Sequence, residues 1–142
     1  DAPGAVTRLV DMGVEPFLLA STMEAVLAQR LVRKICPSCK KVFQPSEALL
    51  LQLGLSAEQV QGRQFFYGPG CEKCHQTGYK GRVGIFELLR MNEVMHELVV
   101  ARASSVELRQ KAVEQGMRTL RESGLVAIFA GETTIEEVVK YT

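Results

Sequence analysis

Four cysteines, arranged as Cys36-x-x-Cys39 and Cys71-x-x-Cys74 with none left over, are the residues of this chain best suited to chemistry. A two-residue gap lets both sulfurs of a pair point at one ion, and a second pair closes the shell from the other side. The pattern therefore predicts a tetrahedral thiolate cage for structural Zn2+. Four thiolates leave no open coordination position, which argues against catalytic zinc. Iron–sulfur ligation uses the same ligands and stands as an alternative. Disulfides or redox dithiols are the competing reading. Against them, the chain is long enough to bury a core, shows no signal peptide, and sets both pairs in Gly/Pro-rich turns, whereas a redox Cys-x-x-Cys normally occurs once, at a helix N-terminus. His75 follows Cys74 directly and could replace a ligand, although a surface neighbour is the simpler role for it. Residues 40–70, between the pairs, run about twice the usual zinc-ribbon spacing of roughly 15–20 residues, so they should carry structure of their own.

The cage must be held by its flanking elements. If one ion joins the two pairs, the residues before Cys36 lie beside those after Cys74. An antiparallel pair of strands, 28–34 with 82–89, is expected to carry the module at its tip. Inside the module, Ser46 opens a short helix stopped by Gly54, Ser56 caps a second through Val60, and Phe65, Phe66 and Tyr67 form a small core against the knuckles. Upstream, a helix over Ala5–Met12 ends at Gly13, and Pro16 starts another to about Val26. Downstream, Asn92 caps a helix to about Arg102. Capping boxes at Ser104/Glu107, Thr119/Glu122 and either Thr133/Glu136 or Thr134/Glu137 mark three more. Met91, Met95 and Met117 read as core filler, and His96 as structural or solvent-facing. Serine at Cys71 is expected to unfold residues 36–80 and leave the helical tail largely intact.

The formal net charge is +1, tryptophan is absent, and only 6% of residues are aromatic, so no pull toward nucleic acid or anionic lipid is implied. No apolar run is long enough to span a bilayer, so membrane association would be indirect. No Gly-x-x-x-x-Gly-Lys-Ser/Thr loop and no nucleophile constellation is present, and no catalytic residue is assigned. The start at Asp1, without methionine, reads as a piece of a longer protein.

Several stretches resemble one family in order along the chain. They are Asp1-Ala2-Pro3-Gly4-Ala5-Val6-Thr7-Arg8-Leu9 with Met12-Gly13-Val14, Gln29-Arg30-Leu31-Val32-Arg33 leading into Cys36-Pro37-x-Cys39, and Gly70-Cys71-x-x-Cys74. Then come Gly78-Tyr79-x-Gly81-Arg82-x-Gly84-Ile85-x-Glu87-Leu88-Leu89, Gly116-Met117-x-Thr119-Leu120, and Gly131-x-Thr133-Thr134-x-Glu136-Glu137-Val138. They are similar to the tetracysteine branch of the secretion ATPases: the type II secretion and type IV pilus extension ATPases.

That resemblance implies a cytoplasmic, hexameric parent ATPase docked on an inner-membrane platform protein, peripheral to the membrane, and using ATP and Mg2+. The implied fold class is mixed α/β and helix-rich. Residues 1–35 would end a RecA-like core, 36–80 form the zinc module, 81–91 return as the second hairpin strand, and 92–142 make a helical subdomain. The phosphate loop, acidic boxes and histidine box would lie upstream, so this piece alone is not expected to hydrolyse ATP. Arg82, just past the second knuckle, is the candidate for reaching a neighbouring subunit or a nucleotide phosphate. The plain alternative is an exposed arginine, or one paired with Glu87. Two other classes compete: a nucleic-acid-binding zinc ribbon using Arg30, Arg33, Lys34, Lys40, Lys41, Lys80 and Arg82, and a passive protein-interaction module.

Overall fold

The computed structural model describes residues 1–142. In chain order the elements are α1 (Ala2–Asp11), α2 (Pro16–Thr22), β1 (Ala25–Ile35), β2 (Lys41–Phe43), α3 (Glu47–Gln52), β3 (Phe65–Tyr67), a 3-10 turn (Glu72–Cys74), β4 (Tyr79–Arg90), α4 (Glu93–Val100), α5 (Ser105–Glu114), α6 (Leu120–Phe129) and α7 (Ile135–Tyr141). The fold is mixed α/β and helix-rich. No helix is long and apolar enough to cross a membrane.

The chain forms two compact units, Asp1–Gln29 with Phe86–Leu120, and Arg30–Ile85 with Arg121–Thr142. Strands β1 and β4 each run from one unit into the other. They are hydrogen-bonded neighbours. The Cys36 N–H donates to the Gly78 carbonyl at 2.9 Å and the Met91 N–H to the Glu24 carbonyl at 3.0 Å, so the strands run in opposite directions, as the cysteine geometry predicts.

In the first unit, α1 begins earlier than its apolar pattern suggests. The Asp1 carboxylate accepts the Gly4 N–H at 2.7 Å and caps the helix, and Pro3 fits the first turn. The helix ends in a Schellman arrangement: Gly13 N–H to Val10 O at 3.0 Å and Val14 N–H to Leu9 O at 3.1 Å, with φ +94° at Gly13. Pro16 is the first residue of α2, which stops at Thr22, short of the expected Val26. Asn92 and Ser104 cap α4 and α5 as their sequence positions indicate. The core gathers Val6, Leu19, Leu89, Met95, Val99 and Leu108, and Met117 packs with them as filler.

Strand β4 alternates, with Ile85, Glu87 and Leu89 buried and Phe86, Leu88 and Arg90 exposed. Glu87, only 1% exposed, accepts the N–H of Ala2 at 2.8 Å and of Leu120 at 3.1 Å. These are the first residues of α1 and α6, so one carboxylate satisfies a free donor at each of two helix N-termini. Glu87 is therefore not the partner of Arg82.

In the second unit, β2 and β3 pair antiparallel with Lys41 opposite Tyr67, Val42 opposite Phe66 and Phe43 opposite Phe65. Ser46 caps α3 as expected. The helix expected after Ser56 does not form. The reciprocal bonds are made, Ser56 N–H to Gln59 Oε1 at 2.8 Å and Gln59 N–H to Ser56 Oγ at 3.4 Å, but the chain continues only as turns. Phe65 is buried with Leu50, Leu53, Val60, Ile128, Ile135 and Val138, and meets the Phe129 ring edge-on at 5.8 Å. Its core is thus shared with α6 and α7 rather than made against the knuckles. The stretch 92–142 is divided between the units after Leu120.

Candidate metal centre

Each cysteine pair is held by a tight turn at the end of a strand. At the first, the Cys39 N–H returns to the Cys36 carbonyl at 3.3 Å. At the second, Cys74 N–H and Gln76 N–H both donate to the Cys71 carbonyl, at 3.2 and 2.9 Å. His75 and Gln76 adopt left-handed conformations, φ +51° and +63°, which curl the chain around Cys74. Thr77 Oγ1 donates to the Cys74 carbonyl at 2.6 Å and locks the turn. Gly68 and Gly78 face each other so closely that a Cβ on either would overlap the other's carbonyl.

These turns bring four sulfurs together. Cys36 to Cys71 and Cys39 to Cys74 are each 3.9 Å, and Cys71 to Cys74 is 3.7 Å. All four sulfurs lie within 4.8 Å of one another. A tetrahedron with metal–sulfur bonds of about 2.3 Å has sulfur–sulfur edges of about 3.8 Å, so the spacing fits one such ion. Bonded sulfurs would stand about 2.05 Å apart, and these four are free thiols. The donor set suits zinc, or iron bound by four sulfurs. It leaves no fifth protein ligand within the cluster, and His75 is outside it.

Backbone donors favour the thiolate form on one side of the cage. Burial pushes the Cys74 thiol up, but N–H groups of Cys71, at 3.2 Å, and Gly78, at 3.3 Å, outweigh it and bring the thiol down to about 6. Burial raises Cys39 to about 11, so at neutral pH this thiol keeps its proton until a bound cation displaces it into the solvent.

A polar network braces the cage from α7. Glu137, 2% exposed, accepts the Arg33 backbone N–H at 2.8 Å and the guanidinium Nε and Nη2 at 2.9 and 2.6 Å. The guanidinium also lies 4.0 Å from the centre of the Tyr79 ring, whose hydroxyl is 2.9 Å from Thr134 Oγ1. Thr133 Oγ1 donates to the Arg33 carbonyl at 2.8 Å, and the Ile35 N–H donates to the Glu132 carbonyl at 2.9 Å. Thr134, not Thr133, caps α7. Arg33 is accordingly a fixed ion-pair partner rather than a solvated strand-edge residue. The sequence offered the Thr134/Glu137 cap only as one of two alternatives and gave no sign of the Arg33 contact, because that partner lies 104 residues away.

Burial raises the Glu137 pKa, but hydrogen bonds from Arg33 outweigh that and hold it below the usual carboxylate range. The stabilisation is therefore complete above the unfolded value of about 4.3 and is lost as pH falls through the native value. Glu137→Gln should cost about 2 kcal/mol at neutral pH, a modest figure because Arg33 stays half-exposed to water. Denaturant melts of both proteins against pH should show the gap constant above about pH 5 and closing below it. A gap that widens in acid would contradict the assignment.

Arg82 is exposed and enters no ion pair. It lines a cavity of about 510 Å³ together with Lys34, Lys40, Lys80, Gly131 and Glu132. The structure thus gathers four of the seven basic residues named from sequence and leaves out Arg30, Lys41 and Arg33, the last held by Glu137. Lys40 rests its ammonium 4.2 Å from the Phe66 ring centre.

The family model described as type II/IV secretion system protein matches residues 1–140. The chain is 46% identical over 142 residues to the type IV pilus assembly ATPase PilB of Thermus thermophilus, covering all of this chain and 16% of that protein. It is 43% identical over 143 residues to the type IV pilus assembly ATPase PilB of Myxococcus xanthus, of which it covers 25%. It is also 43% identical over 141 residues to type II secretion system protein E of Pseudomonas aeruginosa, of which it covers 28%. The chain thus spans from about a sixth to little more than a quarter of these relatives, and it belongs to the type II/IV secretion system protein family.

Proposed function

We propose that this chain is the C-terminal portion of a hexameric motor ATPase of pilus assembly or type II secretion, in which it supplies a structural zinc module and a helical tail for subunit and platform contacts. The observation that carries the zinc part is the four-sulfur cluster, three of whose sulfur–sulfur distances are 3.7–3.9 Å and all of whose sulfurs lie within 4.8 Å of one another. The family match and the relatives' names support the motor part. ATP and Mg2+ would be held by segments of the parent that this chain does not span, since the 142 residues contain no phosphate loop.

In this reading residues 1–35 end a RecA-like core, 36–80 form the metal module, 81–91 return as the second hairpin strand, and 92–142 form the tail, whose last two helices are built onto the module. The parent works in the cytoplasm, docked on an inner-membrane platform protein. Zinc, when bound, supplies a fixed tetrahedral node. The chain around it does the rest: the Cys71 and Gly78 backbone N–H groups donate to the Cys74 sulfur and stabilise thiolate charge, and Arg33 with Glu137 ties the node to α7. Arg82 stands among Lys34, Lys40 and Lys80, a rim that attracts anions and suits a phosphate presented by a neighbouring subunit.

Elemental analysis of the purified chain should return one zinc per chain, with no ATP hydrolysis by the chain itself. In the full-length parent, Arg82→Ala should lower turnover by about a hundredfold or more while zinc content stays the same. A metal-free chain with four titratable thiols would sink the zinc assignment. Unchanged turnover would remove the role of Arg82.

A further inference from the structure

The first unit displays two exposed surfaces of opposite character that the metal centre does not use. One is a cavity of about 500 Å³ floored by Leu88, Leu89 and Met117 and flanked by Arg90 and Arg118. Neither guanidinium enters an ion pair, and no carboxylate lines the cavity. The other is the corner between α1 and α2. There Phe17 is 74% and Leu18 55% exposed, and the exposed Asp11 and Glu15, which precede them on the same corner of the chain, enter no ion pair. An apolar surface of this kind rimmed by charge marks a contact site.

The corner is built rigidly. The Gly13 and Val14 amides close α1, Pro16 fixes the entry to α2, and the Leu18 and Leu19 amides donate back to the Glu15 carbonyl at 3.0 and 3.1 Å. Little freedom remains to be lost on docking. None of residues 11–18 lines the cavity, so the corner is not seated in its own chain's cavity.

We propose that the Asp11–Leu18 corner of one copy of this chain docks into the Arg90/Arg118 cavity of a second copy. Phe17 and Leu18 cover the Leu88/Met117 floor, and Asp11 and Glu15 meet the two arginines. Because the two patches differ, the contact is heterologous and propagates head to tail, closing into a ring when the rotation allows. This deepens, and rests on, the reading of the parent as a homo-oligomer.

The test is sedimentation equilibrium of the 142-residue chain. Arg90→Glu with Arg118→Glu should weaken self-association about tenfold, and so should Asp11→Lys with Glu15→Lys. All four changes together should restore it to within about threefold, because the charges are exchanged rather than lost. Phe17→Ala should weaken it about thirtyfold as a central apolar anchor. All five positions are exposed, so the variants should keep the wild-type far-UV spectrum and zinc content. The fourfold exchange guards against loss by misfolding. Association of equal strength in every variant overturns this docking while leaving the homo-oligomer reading in place. No association up to millimolar concentration overturns it as well, and moves oligomerisation to the remainder of the parent.

Discussion

Serine at Cys71, or removal of the metal by a strong chelator, should melt the whole of the second unit, helices α6 and α7 included. The sequence alone suggested that the tail would survive such a lesion. The packing argues otherwise for its last part. Phe65 is buried against Phe129, and Leu50, Leu53 and Val60 share one apolar cluster with Ile128, Ile135 and Val138. The side of that cluster formed by residues 36–80 is held by two three-residue strands, one short helix and turns. So small a set of elements has little independent stability. Structural zinc contributes on the order of 10 kcal/mol to domains of this kind, comparable with the entire stability of an ordinary domain.

Once the knuckles open, the chain from Cys36 to Gly78 loses its closure, and α6 and α7 lose the surface they cover. Hydrogen exchange gives the readout. Amides of Val42, Leu50, Phe65, Ala127, Ile128 and Val138 should lose protection together, while those of Val6, Met95, Val99 and Leu108 keep it. Zinc added back to the chelated wild type should restore the first group, but not in the serine variant. Retained protection over residues 36–80 in Cys71→Ser would contradict a structural metal. Retained protection of α6 and α7 alone would show that the shared core is not cooperative.

The parts of this fold that were legible in the sequence are those fixed by neighbours or by the four-cysteine cluster. Asn92, Ser104, Ser46 and Thr134 all cap helices, because the bond runs only three residues along the chain. The pairing of β1 with β4 followed from the need to bring two cysteine pairs to one point. Ser56 shows the limit of local signals: its capping box forms, yet the few residues before Gly62 are too short to offset the cost of nucleating a helix. The long-range partners were not legible. Nothing near Arg33 in sequence announces Glu137, and nothing near Phe65 announces Phe129. Glu87 is an intermediate case. The period of two that sends Ile85 and Leu89 inward sends Glu87 inward as well, so its burial could have been read, though not the two helix ends that it meets.

That buried carboxylate carries the second large effect. Glu87→Gln should destabilise the first unit by about 3–5 kcal/mol, nearly as much as Glu87→Ala. The glutamine is close to isosteric, so no cavity is made and the loss is one of acceptors. Glutamate offers Oε1 to the Ala2 N–H and Oε2 to the Leu120 N–H. An amide can offer one oxygen only, and its NH2 group then faces a second donor. One helix N-terminus is left with an unsatisfied N–H, and the negative charge that favoured both N-termini is gone. A surface glutamate would lose less than about 0.5 kcal/mol in the same exchange. The measurement is the denaturant midpoint of the zinc-loaded chain, read through amides of α1 and α4 so that the second unit does not mask the change. Glu87→Asp separates reach from charge: it keeps the carboxylate but is one methylene shorter, and should recover less than half of the loss. If Glu87→Gln melts at the wild-type midpoint, the two N–H bonds do not hold α1 and α6 in place, and the buried charge has some other reason to be there.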